Sequence, residues 1–396
     1  MKLLLIIDDY LPLSNKVAAK MMHELALEFQ KKGHDVTVLT PNSFQKKPLD
    51  VQYLDGIKIL LFKSGEIKNI NKFKRAINET FLSRLAYKSC KEHLIENPCD
   101  GIIYFSPSIF FGPLVKKVKN LWNCKTYLIL RDIFPQWAVD NNLLKYNSII
   151  HNYFKYFEKL NYRVADTIGV MSKANLNFFK SKKYNISKFE ILYNWSEIKD
   201  CPKAGNYFRE KLNLKDKIVF FYGGNIGHAQ QMSNLIILAK RFKLNKSVHF
   251  IFVGKGDEVS LLLNEIKTNN LDNITYLKAV DQSTYAKMLN EFDIGMFSLH
   301  SNHKTHNFPG KLLSYMAFEK PIIGCVNEGN DLADIVNSAK AGVIVNSLDE
   351  IGLFNAAKKL IDSKAIRAKY GKNGKTLLAD KFSVNTASIQ ILNTFQ

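Results

Sequence analysis

Three short segments concentrate side chains and backbone turns that could hold an anion. In VFFYGGNIGHAQQM, 219 to 232, an apolar run from Val219 to Tyr222 stops at Gly223 and Gly224, Gly227 follows, and helical spacing begins near Gln230. Glycines at such a strand-to-helix junction let backbone N–H groups approach a phosphate, and the helix start favours negative charge. Asn225 and His228 lie beside them. The same turn also reads as a tight connection that uses glycine for its dihedrals alone. In FVGKGDE, 252 to 258, Gly254, Lys255 and Gly256 form a second such turn after the next apolar run; Lys255 either meets a phosphate or is solvated.

The third segment, FSLHSNHKTHNFPGKLLSYMAFEKPIIG, 297 to 324, packs His300, His303, Lys304, His306 and Lys311 into a polar loop that leads into a short helix. The three histidines are spaced by three, yet no acidic residue or cysteine nearby completes a zinc set, and no metal is expected. Lys311 sits at the helix start beside Gly310, where a cation is disfavoured unless an anion is bound there. The dinucleotide fingerprint GxGxxG is absent from the first strand.

In the first half, RDIFPQWAVD, 131 to 140, begins where the apolar run YLIL stops. Asp132, with Arg131 adjacent and Trp137 close, either orients a substrate hydroxyl, acts as a base, or caps the next turn. Asp8 and Asp9 end the first apolar run. Strand neighbours point to opposite faces, so one of the pair enters a site; Asp9, with Ser14 and Lys16, is the candidate acceptor contact.

These residues need a frame that brings them to strand ends. Buried-strand runs at 3–7, 35–40, 58–62, 101–105, 126–130, 167–170 and 190–192 alternate with helical spacing, and a second series follows at 218–222, 248–253, 274–277, 293–297, 321–325 and 342–345. Strands separated by helices give right-handed crossovers and parallel sheets, with ligands at the carboxyl ends. The expectation is α/β: two Rossmann-like domains with parallel sheets facing across a cleft. SEIKDCPKAG reads as a linker, which puts the domains at 1–200 and 201–381, with a helix at about 382–396 returning to the first.

A length of 396 residues suits two such cores, and 46% hydrophobic with 23% charged residues is a globular composition. The net charge of +20, of which about +12 falls before residue 200, points to an anionic surface or polymer. The segment 70–94 carries Phe73, Ile77, Phe81 and Leu85 on one helical stripe ringed by lysines and arginines; it reads either as an interfacial helix on anionic lipid or as a surface helix packed on the sheet. Five scattered cysteines support neither disulfides nor zinc. The apolar start MKLLLII is too short for a signal peptide, and the longest apolar stretch is broken by prolines. A cytoplasmic protein with peripheral membrane contact is expected, and no reader motif for nucleic acid is present.

The constellation resembles the GT-B glycosyltransferases, specifically the retaining enzymes of family 4. The opening MKLLLIIDDYLPLSNKVAAKMMHELALEFQKKGHDVTVLTP looks like their acceptor-domain start, GGNIGHAQ their first donor-domain loop, and PGKLLSYMAFEKPII their donor-binding helix. DDYLP, LILRDIFPQWAVD and NHKTHNFPGKLLSYM look most like bacterial O-antigen and capsule enzymes that transfer an N-acetylfucosamine-type sugar. The resemblance implies a nucleotide diphosphate-sugar donor, UDP-linked, held by the C-terminal domain, a polyprenyl diphosphate-linked saccharide as acceptor, work at the inner face of the cytoplasmic membrane, and neither cofactor nor metal. It places the diphosphate on Gly223 to Gly227 and on Pro309, Gly310 and Lys311, and the nucleotide near Gly254 to Gly256.

One departure concerns two glutamates eight positions apart in the family, whose equivalents here are His306 and Ser314; another is a basic pair replaced by Asn225 and Gln230. His228, Lys304 and Lys311 are then the sources of donors or positive charge. Lys311, Asp132 and His306 are the catalytic candidates, and Asp9, Ser14, Lys16 and Arg131 the acceptor-side ones. A nucleotide-sugar 2-epimerase of the same architecture and a non-catalytic nucleotide-sugar-binding subunit are the alternative readings.

Overall fold

The structure, a computed structural model, describes residues 1–14, 16–68, 70–198, 205–302 and 308–396. It divides into two compact units, Met1–Glu197 with Val384–Gln396, and Ile198–Ser383. The boundary expected at 200/201 and the candidates His303, Lys304 and His306 lie outside the described residues.

The first unit holds β1 (Lys2–Ile6), β2 (Asp35–Asn42), β3 (Leu49–Leu54), β4 (Ile57–Lys63), β5 (Gly101–Ser106), β6 (Lys125–Leu130), β7 (Thr167–Val170) and β8 (Phe189–Ile191). They form one sheet in the order β3-β4-β2-β1-β5-β6-β7-β8. The second unit holds β9 (Ile218–Asn225), β10 (Val248–Lys255), β11 (Ile274–Lys278), β12 (Ile294–Ser298), β13 (Ile322–Val326) and β14 (Gly342–Asn346), ordered β11-β10-β9-β12-β13-β14. Both units are α/β.

The second sheet is parallel throughout, whereas the first carries an antiparallel edge strand, β3, which the sequence reading lacks. It arises from a two-residue turn at Asp55 and Gly56, both with positive φ (49° and 82°), the conformation of a tight hairpin. Its Val51 and Tyr53 stay exposed, so β3 lacks the apolar run that marks the buried strands.

Alternation along β1 explains why the first sheet is covered on both sides. Leu3 and Leu5 join one buried cluster, while Leu4 and Ile6 join the other. Val384, Ala387, Ile391 and Leu392 of the last helix, Val384–Asn393, complete the first of these clusters. Each such side chain contributes about 1.5–3 kcal/mol when fully buried, and this ties the chain terminus to the unit it began.

Candidate active site

In the second unit β9 and β10 run side by side, with Gly224 opposite Gly254 and Asn225 opposite Lys255, so the two glycine turns are neighbours. Most of their glycines are demanded by packing. A Cβ on Gly254 would stand 1.8 Å from the Gly224 carbonyl oxygen, one on Gly256 2.1 Å from that of Ile226, and one on Gly223 2.3 Å from the Tyr285 ring. The turns are also tied by hydrogen bonds from Ile226 N to Lys255 O (2.9 Å) and from Glu258 N to Ile226 O (3.0 Å). A Cβ on Gly227 would meet Asp257, whose carboxylate accepts from His228 N at 3.3 Å.

Gly224 is different. Its φ of 134° suits glycine, and a Cβ there would meet only the Cε and Nζ of Lys311, each at 3.4 Å. Lys311 opens the helix Gly310–Ala317, whose N-cap, Pro309, offers no side-chain cap. Among the described residues nothing lies within 4 Å of a Cβ built on Gly310. Ser314, one turn later, is partly buried.

The Lys311 ammonium lies 3.7 Å from the centroid of the Tyr222 ring. Among the described residues it forms no ion pair, and burial pushes it down to about 7. Tyr222 is itself held by a hydrogen bond from its hydroxyl to the Asn225 carbonyl. The helix is pinned to β9 by Tyr315, whose hydroxyl accepts from Gly223 N at 3.3 Å and donates to Met296 O at 3.0 Å. A positive group, an uncapped helix start and the one turn glycine open toward it thus converge, a combination suited to a phosphate.

Asn225 and Gln230 hydrogen-bond each other, Nδ2 to Oε1 at 2.8 Å. His228 sits beside His300, ring centroids 4.7 Å apart, with the Glu258 carboxylate 3.6 Å from its Nδ1. Lys255 is exposed at the end of β10.

In the first unit β1 ends at Ile6, so Asp8 and Asp9 stand in the loop beyond it and strand alternation does not separate them. Asp9 is buried and paired with Lys68 and with Lys16, 3.6 Å away, and the Ser14 hydroxyl accepts from Lys16 N at 3.2 Å. Asp8, which sequence reasoning passed over, is raised by burial, opposed by Lys68. Asp132, beyond β6, is exposed in its recess; the protein around it and then the Asp8 charge raise it to about 6. Glu79, from the helix Lys72–Thr80, is raised by burial too; Arg75 lowers it and Asp8 raises it.

Arg131 stands apart from Asp9, Ser14 and Lys16. Its guanidinium stacks on Trp195, 5.2 Å to the ring centroid, and donates to Tyr193 O at 3.1 Å, while Nε and Nη1 are buried without a partner. Among the described residues no group of three or more His, Cys, Asp or Glu side chains could hold a metal ion.

Residues 206–377 match the family model described as "Glycosyl transferases group 1". An uncharacterized glycosyltransferase of Methanocaldococcus jannaschii is 27% identical over 242 residues, 60% of either chain. The N-acetylgalactosamine-N,N'-diacetylbacillosaminyl-diphospho-undecaprenol 4-alpha-N-acetylgalactosaminyltransferase of Campylobacter jejuni is 26% identical over 238 residues, 58% of this chain and 60% of that one. The chain thus spans less than two thirds of the length of these relatives. Among solved structures, sucrose-phosphate synthase from Thermosynechococcus elongatus has a TM-score of 0.73 at 14% identity, covering 100% of this chain and 98% of that one. Anabaena HepE in complex with UDP and glucose has a TM-score of 0.69 at 15% identity, covering 100% and 99%. The second unit is therefore similar to the glycosyl transferases group 1 model over 206–377, and the two α/β units have the fold of GT-B glycosyltransferase structures.

Proposed function

We propose that the chain is a retaining, metal-independent glycosyltransferase that moves a sugar, of the N-acetylfucosamine type, from a UDP-linked donor to a polyprenyl diphosphate-linked saccharide in O-antigen or capsule assembly. The observation that carries the reading is Lys311: a cation with no ion pair among the described residues, beside Gly224 and the start of a helix whose N-cap, Pro309, supplies no side-chain cap. A nucleotide diphosphate-sugar supplies the missing charge. The group 1 match over 206–377 supports a transferase, the UDP complex of a fold relative supports a uridine donor, and the acceptor named for the Campylobacter relative supports a lipid-linked one.

In this scheme the bond from the sugar C1 to the β-phosphate oxygen breaks, and negative charge accumulates on the leaving diphosphate. Lys311 and the N–H groups of Gly310 and Lys311 hold that charge more strongly than they hold the bound donor, which lowers the barrier. The acceptor oxygen attacks C1 on the face the phosphate leaves, and its proton passes to the leaving phosphate oxygen, so retention needs no side-chain base at C1. Gly223, Asn225, Gly227 and His228 shape the phosphate side, Gly254, Lys255 and Gly256 the nucleotide side, and Pro309 and Ser314 the helix that meets the sugar and ribose. Lys304 and His306, outside the described residues, are the remaining donor-side candidates. In the first unit Asp132 orients the acceptor, with Asp9, Ser14 and Lys16 as further contacts; Arg131, turned onto Trp195, is not one of them. An acceptor of this kind places the protein at the cytoplasmic face of the membrane.

The test is product formation, followed by mass spectrometry, with UDP-, GDP- and dTDP-sugars against a polyprenyl diphosphate-linked N-acetylhexosamine in the presence of chelator. A disaccharide product is expected. Intact donors that still raise the melting temperature would indicate a non-catalytic binder, and an altered free donor the epimerase.

A further inference from the structure

The helix Ile149–Val164 carries apolar residues on its exposed side as well as on its buried one. Ser148 caps its start by accepting from His151 N at 3.2 Å. Its inner side packs: Phe154 lies 4.8 Å from Phe134 and Phe157 4.8 Å from Phe110, centroid to centroid. Its outer side should then be polar, but Ile149, Tyr153 and Tyr156, at the i, i+4, i+7 spacing of one face, are exposed, as is Ile150. Ile149 is 90% exposed. Leu143 and Tyr146, just before the helix, extend the same exposed series.

A second segment meets this one. The helix predicted over 70–94 breaks at Phe81 into Lys72–Thr80 and Leu82–Glu96, and Leu85 turns inward to the core. Ile77 and Phe81 remain exposed, and the hydroxyl of Thr80 between them contacts that of Tyr153. The side chain of Phe73 lies outside the described residues. The two apolar series are thus adjacent in the first unit.

Cations outnumber acidic residues around them. Residues 140–159 contain Lys145, Lys155 and Lys159 against Asp140 and Glu158, the latter paired with Lys155, and residues 66–92 contain seven lysines and arginines against Glu66, Glu79 and Glu92, with Arg75 held by Glu79 at 2.9 Å and Lys68 by Asp9. We infer that this face, Leu143, Tyr146, Ile149, Ile150, Tyr153 and Tyr156 with Ile77 and Phe81, docks on an anionic lipid bilayer. Isoleucine and leucine enter the acyl boundary, tyrosine suits the headgroup level, and the lysines meet anionic headgroups. The inference rests on the lipid-linked acceptor of the proposed function.

The experiment is co-sedimentation of the full chain with vesicles of phosphatidylcholine and phosphatidylglycerol, and of phosphatidylcholine alone, beside sedimentation velocity without lipid. Wild type is expected to bind the anionic vesicles in a salt-sensitive way, and the variant Ile149→Asp with Ile150→Asp to bind about tenfold less with its melting temperature unchanged. Equal binding by the two, or no binding by wild type, overturns the inference. So does a wild-type dimer that the variant dissociates, because a second copy would then cover the face. Transfer to a short-chain acceptor in detergent separates the two claims: it should be equal in wild type and variant. Its absence in both would remove the acceptor reading, while the vesicle result would still decide the docking.

Discussion

The Nζ of Lys311 lies 3.7 Å from the centre of the Tyr222 ring, and no carboxylate among the described residues pairs with it. A lysine that loses hydration without gaining an anion is a cost to the empty fold, offset in part by the ring's negative face. Its retention at the start of a helix, the end least favourable for a cation, is accounted for by an anionic ligand.

Replacing Lys311 with Met should separate stability from function. Burial places the ammonium at about 7, below its unfolded value, so the folded state binds the proton less well than the unfolded chain and the empty protein loses stability as pH falls from the unfolded value toward 7. The variant is expected to melt higher at neutral pH, by on the order of 1 kcal/mol in stability, and to lose about 100-fold or more in kcat. Calorimetric melting and steady-state kinetics on one preparation check both, and wild-type turnover would remove Lys311 from the scheme.

Tyr222→Leu removes both the ring beneath Lys311 and the hydroxyl that holds the Asn225 carbonyl. Donor KM should rise by about tenfold, from roughly 1–2 kcal/mol of lost cation–π and hydrogen-bond support, with acceptor KM unchanged. A rise in the acceptor constant instead would place Tyr222 outside the donor site.

Two glycines offer opposite outcomes. Gly254→Ala puts a methyl 1.8 Å from the Gly224 carbonyl, backbone against backbone, and should lower stability by about 3 kcal/mol or more whether or not ligand is present. Gly310→Ala meets nothing within 4 Å among the described residues, so the fold should be unaffected or slightly stabilised, and the loss should appear in donor affinity. Thermal melts with and without UDP distinguish them.

Asp132 is placed at about 6 by its recess and by Asp8. Its ionised form is therefore available above that pH and lost below it. Asp8→Asn removes one of the two causes, so the acidic limb of the kcat/KM profile for acceptor should move to lower pH while that for donor stays in place. An unmoved acidic limb would exclude Asp132 as the titrating group.

The strand series was legible because apolar runs of four to eight residues bounded by turn residues record burial locally. Strand β3 escaped because its outward Val51 and Tyr53 break that record, although Asp55 and Gly56 carry the hairpin signal. The glycine turns were visible as glycines, but their reasons were not: Gly254 and Gly256 answer to neighbouring backbone, and Gly224 to a lysine 87 positions later (311 − 224). Asp8 was passed over because β1 was extended to Ile7 and alternation was applied past its end at Ile6. The helix over 70–94 was read as continuous from its stripe, while contact with Tyr153, far along the chain, is what defines the exposed face around its break.

The most direct measurement is calorimetric binding of an intact UDP-sugar in buffers of different ionisation enthalpy, across pH 7 to 9, for wild type and Lys311→Met. The sugar-bound diphosphate does not itself titrate there and the uracil imide ionises only toward the upper end, so a proton linked near pH 7 to 8 belongs to the protein. Because Lys311 sits at about 7 when empty and is raised by the ligand's charge, wild type should take up close to one proton above neutrality, and its affinity should fall by up to about tenfold per pH unit. Lys311→Met should show neither. Equal proton uptake in the two proteins, or none in wild type, would contradict the assignment of the donor diphosphate to Lys311.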